Sequence, residues 1–119
     1  MPASNPDSPF WLDALHHAAE QFNNKQFWEC HETLEAVWLT APEPDKTFLQ
    51  GLIQVVAGCH HIKNKNPKGA QALLKHGLEK LCCVKEISVF ENDFVEAVKK
   101  LQHSMVSADF PVLLIEAEL

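Results

Sequence analysis

Arginine is absent from the 119 residues: all ten basic side chains are lysines, and sixteen acidic residues leave a net charge of −6. Arginine is the side chain that pairs bidentately with phosphate and guanine. An acidic chain is also repelled by DNA, RNA and anionic lipid, and no basic stripe offsets this. Nucleic acid and membrane surfaces are therefore not expected as partners. Long apolar runs are missing too. The longest, residues 52–59, is interrupted by Gln54 and falls well short of the roughly 20 residues that span a bilayer. Residues 1–8 have neither a basic n-region nor an apolar h-region, so they do not read as a signal peptide, and a cytoplasmic setting is the default expectation. Only four glycines occur, each on or at the start of an expected helix, which leaves no Gly-rich phosphate loop. Neither a G-x-S-x-G elbow nor an activated cysteine motif is present. Cys30, Cys59, Cys82 and Cys83 include no C-x-x-C pair. Cys30 and Cys59 fall on apolar helical faces and read as buried structural thiols. Adjacent Cys82 and Cys83 diverge by about 100° on a helix, a poor geometry for a disulfide.

What is present is helical patterning. Apolar residues make up 46% and charged residues 22%, the balance of a globular chain long enough to build one core. The expected organisation is a disordered segment over 1–8, a single helical domain over 9–107, and an apolar tail over 108–119 that docks on the bundle or on a partner. Ser8 and Pro9 suit the cap and first position of a helix over 9–22, with Leu12, Leu15, Ala19 and Phe22 at helical spacing. Asn24 is placed to cap a second helix over 25–40, ended by Pro42 and Pro44. Asp45 is placed to cap a third over 46–64, whose apolar positions nearly encircle it, as in a central helix. Gly51 and Gly58 lie on one side of that helix and predict a closely approaching neighbour. Asn66 and Pro67 start a fourth helix, with Ala70, Leu73, Leu74, Gly77, Leu78 and Leu81 inward. Residues 85–91 are ambiguous, and Asn92 or Asp93 caps a fifth helix that carries Phe94, Val98, Leu101 and Met105. Short connections imply antiparallel neighbours. The fold class is thus all-α, a compact bundle of about five antiparallel helices. A faint echo forty residues apart (22–25 against 62–65, Leu34 against Leu74) suggests two stacked helix hairpins.

Several polar residues stand where apolar ones belong. Stepping about 100° per residue from Phe27 puts His31 inside the apolar stripe of the second helix, with Glu35 at its edge, Trp38 back in the middle and Glu32 pointing outward. On the third helix Gln50, Gln54 and His61 form a polar seam, with His60 on another side. Buried imidazoles and carboxylates need partners, so His31 and Glu35 are expected to pair with each other and with Gln54, His60 or His61.

The run 27–38 resembles the signature of the DUF309 family of small proteins of unknown function, whose H-E-x-L-E-x-x-W pattern is met by His31, Glu32, Leu34, Glu35 and Trp38. The family's F-L-Q-G-L-I-Q block is similar to residues 48–54, and its N-P-x-G-A turn to residues 66–70. The resemblance covers about residues 22–81. It implies a compact all-helical fold and brings no established activity.

Three functional readings follow. In the first the chain is a binding or scaffold module held by a buried His/Glu/Gln network, with Trp11, Trp28 and the apolar tail as contact surfaces for a protein, a peptide or a second copy in a homo-oligomer. In the second it is a metal protein, with His31, Glu35 and His61 as candidate ligands for Zn, Fe or Mn. H-E-x-L-E is not H-E-x-x-H, however, and no second E-x-x-H helix is present, so no cofactor is expected. In the third, His31 and Glu35 move protons in a hydrolase-like enzyme. His16, His17, His76 and His103 have no spacing that forces a role.

Overall fold

In the computed structural model, which describes residues 10–84 and 92–115, five α-helices follow one another: α1 (Leu12–Asn23), α2 (Phe27–Trp38), α3 (Asp45–Lys63), α4 (Pro67–Cys83) and α5 (Asn92–Ser104). A single 3-10 turn, Ser107–Asp109, precedes an extended segment over 110–115. The expected cap at Ser8, the disorder over 1–8 and the ambiguous stretch over 85–91 lie outside the described residues. The architecture is an all-α bundle, as the periodicity predicts.

The forty-residue echo is a repeat of backbone geometry. Asn24 and Asn64 end α1 and α3 with nearly the same dihedrals, φ −87°, ψ 8° and φ −93°, ψ 14°. Each is followed by a lysine in the left-handed region, Lys25 at φ 63° and Lys65 at φ 60°. The amide of Lys25 donates to the Phe22 carbonyl (2.9 Å) and that of Gln26 to Gln21 (2.8 Å), while Lys65 donates to Ile62 (3.0 Å) and Asn66 to His61 (2.8 Å). This doubled bond pattern is the Schellman stop, which satisfies carbonyls that the helix end leaves open. Burial repeats at the same interval: Leu12 and Leu52, Leu15 and Val55, Phe22 and Ile62, and Leu34 and Leu74 are all buried. α1–α2 and α3–α4 are therefore two similar helix hairpins, and Lys63 Nζ ties them by donating to the Lys25 carbonyl at 2.9 Å.

Three expected helix starts are corrected. α1 begins at Leu12, after Trp11, rather than at Pro9. α2 begins at Phe27, not Lys25, because Lys25 is committed to the left-handed stop; Gln26 takes the cap position and Asn24 closes α1 instead. Asp45 is the first residue of α3 and does not cap it. Its carboxylate accepts from the Trp11 indole at 2.8 Å. Glu43 does the capping, accepting from the amide (2.8 Å) and hydroxyl (2.7 Å) of Thr47. Those hydroxyl and amide bonds hold the Glu43 carboxyl below its ordinary range. Asn66 and Pro67 open α4 as expected, with the Gly69 amide donating to the Asn66 side chain.

α3 is the central helix, with Phe48, Leu49, Leu52, Val55, Val56, Cys59 and Ile62 all buried. Its seam with α4 is tight because glycines face each other. A Cβ on Gly77 would lie 2.7 Å from the Gly51 carbonyl oxygen, and one on Gly58 2.8 Å from Leu74 Cδ2. Phe94, Val98 and Leu101 are the buried stripe of α5. Met105 falls just past α5 at φ 57°, its amide donating to Leu101 at 2.7 Å. The extended segment lies on the first hairpin: Leu113 is buried, Phe110 packs edge-on to Phe27 at 4.9 Å, and Asn23 both donates to the Leu113 carbonyl (3.0 Å) and accepts from its amide (2.8 Å). No described helix is long and apolar enough to cross a membrane.

Candidate functional site

α2 spends one face on the core and leaves the other to solvent. Phe27, Cys30 and Leu34 are buried. Along the flank of that stripe Trp28, His31, Glu32, Glu35, Ala36 and Leu39 recur at spacings of three and four residues and line a groove of about 300 Å³. Trp28 and Leu39 are 53% and 63% exposed, and they are the two among the described large apolar side chains left in water that border this groove.

His31 sits within this groove rather than in the core. Its ring stacks on Trp28 with centroids 5.5 Å apart and planes 9° from parallel. Its Nε2 lies 3.6 Å from Glu35 Oε2, while Nδ1 is shielded from solvent with no hydrogen-bond partner. The pairing of His31 with Glu35 is present as expected. The wider network is not: no described polar or charged side chain is buried, and the polar residues of α3 go to separate places. Gln54 accepts from Lys80 Nζ at 3.0 Å, on the α4 side. His61 Nδ1 accepts from the Asn66 amide at 3.0 Å, at the α3–α4 turn. His60 alone reaches the groove's border, its ring 5.8 Å from Trp28 and its Nε2 accepting from Asn64 at 3.0 Å. Gln50 stays half-buried on α3. The angular position of His31 was read correctly, but the side chain that covers it is Trp28, one turn away on its own helix, and not α3.

Trp38 lies at the far end of α2, partly buried against the core, with Lys46 Nζ 4.3 Å from its ring centroid and 3.2 Å from its carbonyl. Its indole Nε1 is shielded and has no partner. Glu32 is exposed, as expected. The candidate metal ligands His31, Glu35 and His61 are not brought together, and among the described residues no three His, Cys, Asp or Glu side chains are grouped to hold a metal ion. Trp11, one of the two candidate contact tryptophans, is instead a core residue, fully buried against Phe48 at 5.3 Å. The buried thiols are inert: desolvation pushes Cys30 up to about 12 and drives Cys59 in the same direction, whereas Cys82 and Cys83 are exposed. Leu39 was missed as a groove residue. Its signal was an apolar side chain off the buried stripe, at the end of the helix three residues before Pro42.

A second, larger groove of about 410 Å³ lies between α4 and α5, walled by Lys75, Cys82, Lys99 and His103 among others. The comparisons with known proteins separate the two. The model of a family described as a domain of unknown function, DUF309, matches residues 15–73. That segment holds every residue of the α2 groove and none of the α4–α5 groove. No curated protein matches the chain.

Proposed function

Through residues 15–73 the chain belongs to the DUF309 family, and on that premise we propose that it is a binding module whose partner docks along the outer face of α2. The observation that carries this reading is the solvent-exposed pair Trp28 and Leu39 at the two ends of one groove. Leaving each of them half in water forgoes roughly half of the 1.5–3 kcal/mol that full burial of a large apolar side chain supplies, and a partner that covers the groove recovers it. The net charge of −6 and the absence of arginine argue for a protein or peptide partner over nucleic acid or anionic membrane. A hydrolytic role for His31 and Glu35 draws support from their 3.6 Å approach within the groove. The six lining residues include no hydroxyl or thiol, so such a role rests on His31 and Glu35 activating water.

Site-specific photo-cross-linking tests the binding reading. Benzoylphenylalanine replaces Ala36 in the groove or, as control, Ala72 on the exposed side of α4. A discrete adduct is expected from position 36, absent from position 72 and depleted when Trp28→Ala is added. An adduct of two chain masses identifies the partner as a second copy. No adduct at position 36, or one indifferent to Trp28→Ala, overturns the proposal.

A further inference from the structure

We infer that the occupant of the α2 groove is a cationic amphipathic helix, an inference that rests on that groove being the docking site. The helix α2 carries Glu29, Glu32 and Glu35, with no lysine anywhere between Phe27 and Trp38. The lysines nearest in sequence are engaged by backbone and rings. Lys46 donates to the Trp38 carbonyl at 3.2 Å, reaches the Leu39 carbonyl as well at 3.5 Å and lies over the Trp38 ring, and Lys25 sits 5.9 Å from the Phe110 ring centroid. The carboxylates facing the groove therefore lack a cationic partner on their own helix apart from His31 beside Glu35. The groove offers three surfaces in order along about three helical turns. Trp28 supplies an exposed indole, Glu32 and Glu35 supply charge, and Ala36 and Leu39 supply apolar contact.

A helix laid along α2 meets these surfaces with residues at i, i+3 or i+4, and i+7. A lysine or arginine on that face pairs with Glu32 or Glu35 and is attracted by the indole. Leucine-sized side chains cover Leu39. A second copy is a poor occupant, because a twofold contact sets the same acidic face against itself. Nucleic acid and anionic lipid are repelled by the same carboxylates.

The probe is a fluorescein-labelled synthetic helix with leucine and lysine at those spacings, followed by fluorescence anisotropy, beside the same peptide with every lysine replaced by glutamate. The lysine peptide is expected to bind and the glutamate peptide not. Glu32→Lys combined with Glu35→Lys is expected to weaken binding by about tenfold or more, and high salt to weaken it comparably. Trp28→Ala and Leu39→Ser are each expected to weaken it with the melting temperature held near that of the parent. Equal binding of both peptides that depends on Trp28 and Leu39 overturns the cationic assignment and leaves the groove standing as the site. Binding of the lysine peptide that ignores Trp28 and Leu39 is diffuse attraction to an acidic chain and overturns both. No binding of the lysine peptide overturns the inference.

Discussion

Replacing Gly77 by alanine sets two opposing effects against each other in the seam between α3 and α4. In a solvent-facing helix the change gains about 0.8–1 kcal/mol from helix propensity. Here the added Cβ would lie 2.7 Å from the Gly51 carbonyl oxygen, 2.8 Å from Val55 Cγ2 and 3.0 Å from the Val55 amide nitrogen. Two of those three atoms are backbone of the central helix and cannot swing aside. The facing glycine offers no relief, since a Cβ on Gly51 would itself meet Lys80 Cβ at 2.9 Å and the Gly77 carbonyl at 3.1 Å. α3 and α4 must move apart, and the packing along the seam, including Leu52, Val55, Leu74 and Leu81, loosens. Overpacking of this kind costs typically about 1–3 kcal/mol and more where backbone must shift. The upper part of that range applies, so the net loss is about 2 kcal/mol. For a domain of this size that corresponds to a fall of about 8 °C in Tm. Thermal and urea unfolding followed by far-UV circular dichroism read the change directly. Ala72→Gly on the exposed side of the same helix calibrates the propensity contribution, with an expected loss of about 1 kcal/mol. A Gly77→Ala variant with a Tm equal to or above the parent refutes the close-packed seam.

Asn23→Ala removes both hydrogen bonds that clamp the Leu113 backbone, a cost of about 1–3 kcal/mol. The expected signature is local: hydrogen exchange at the Leu113 amide accelerates while α3 amides stay protected, and unchanged protection of Leu113 contradicts the clamp. Near neutral pH, iodoacetamide is expected to label Cys82 and Cys83 and spare Cys30 and Cys59 until the chain unfolds, as mass spectrometry of the alkylated protein would show. Because burial raises the Cys30 thiol to about 12, its contribution to stability is intact below the unfolded thiol's range, about 8.5, and is lost as pH rises toward the folded value. Denaturation midpoints should therefore fall with pH above that range in the parent and less in Cys30→Ala; equal slopes would count against the buried assignment.

Local physics was legible in the residues themselves. Periodicity identified five helices, Asn66 and Pro67 marked the start of α4, and Gly51 and Gly58 announced a close neighbour. The echo between residues 22–25 and 62–65 suggested two stacked helix hairpins; its structural basis is a pair of matching stops in which lysine rather than glycine occupies the left-handed position. A lysine there carries no local mark of a helix end, which is why the start of α2 was read two residues early. The helix starts and stops depend on contacts within about five residues, which sequence order specifies, and the two glycines mark room for a neighbour without naming it.

Which side of a helix is covered, and by what, depends on residues far apart in the chain. Helical spacing leaves open whether Trp11 packs in the core or meets a partner; its indole on Asp45, 34 residues away, settles it, and that contact also occupies the Asp45 carboxylate. His31, His61 and Gln54 were grouped by angular position, yet the tertiary packing sent Gln54 to Lys80 and His61 to Asn66, and left His31 under Trp28. The sequence by itself therefore determined the helices and the direction in which each side chain leaves them. Only the tertiary structure decided that the His-Glu motif of α2 lines an open groove instead of a buried network, because helical periodicity assigns a direction to a side chain and cannot name the neighbour that meets it there.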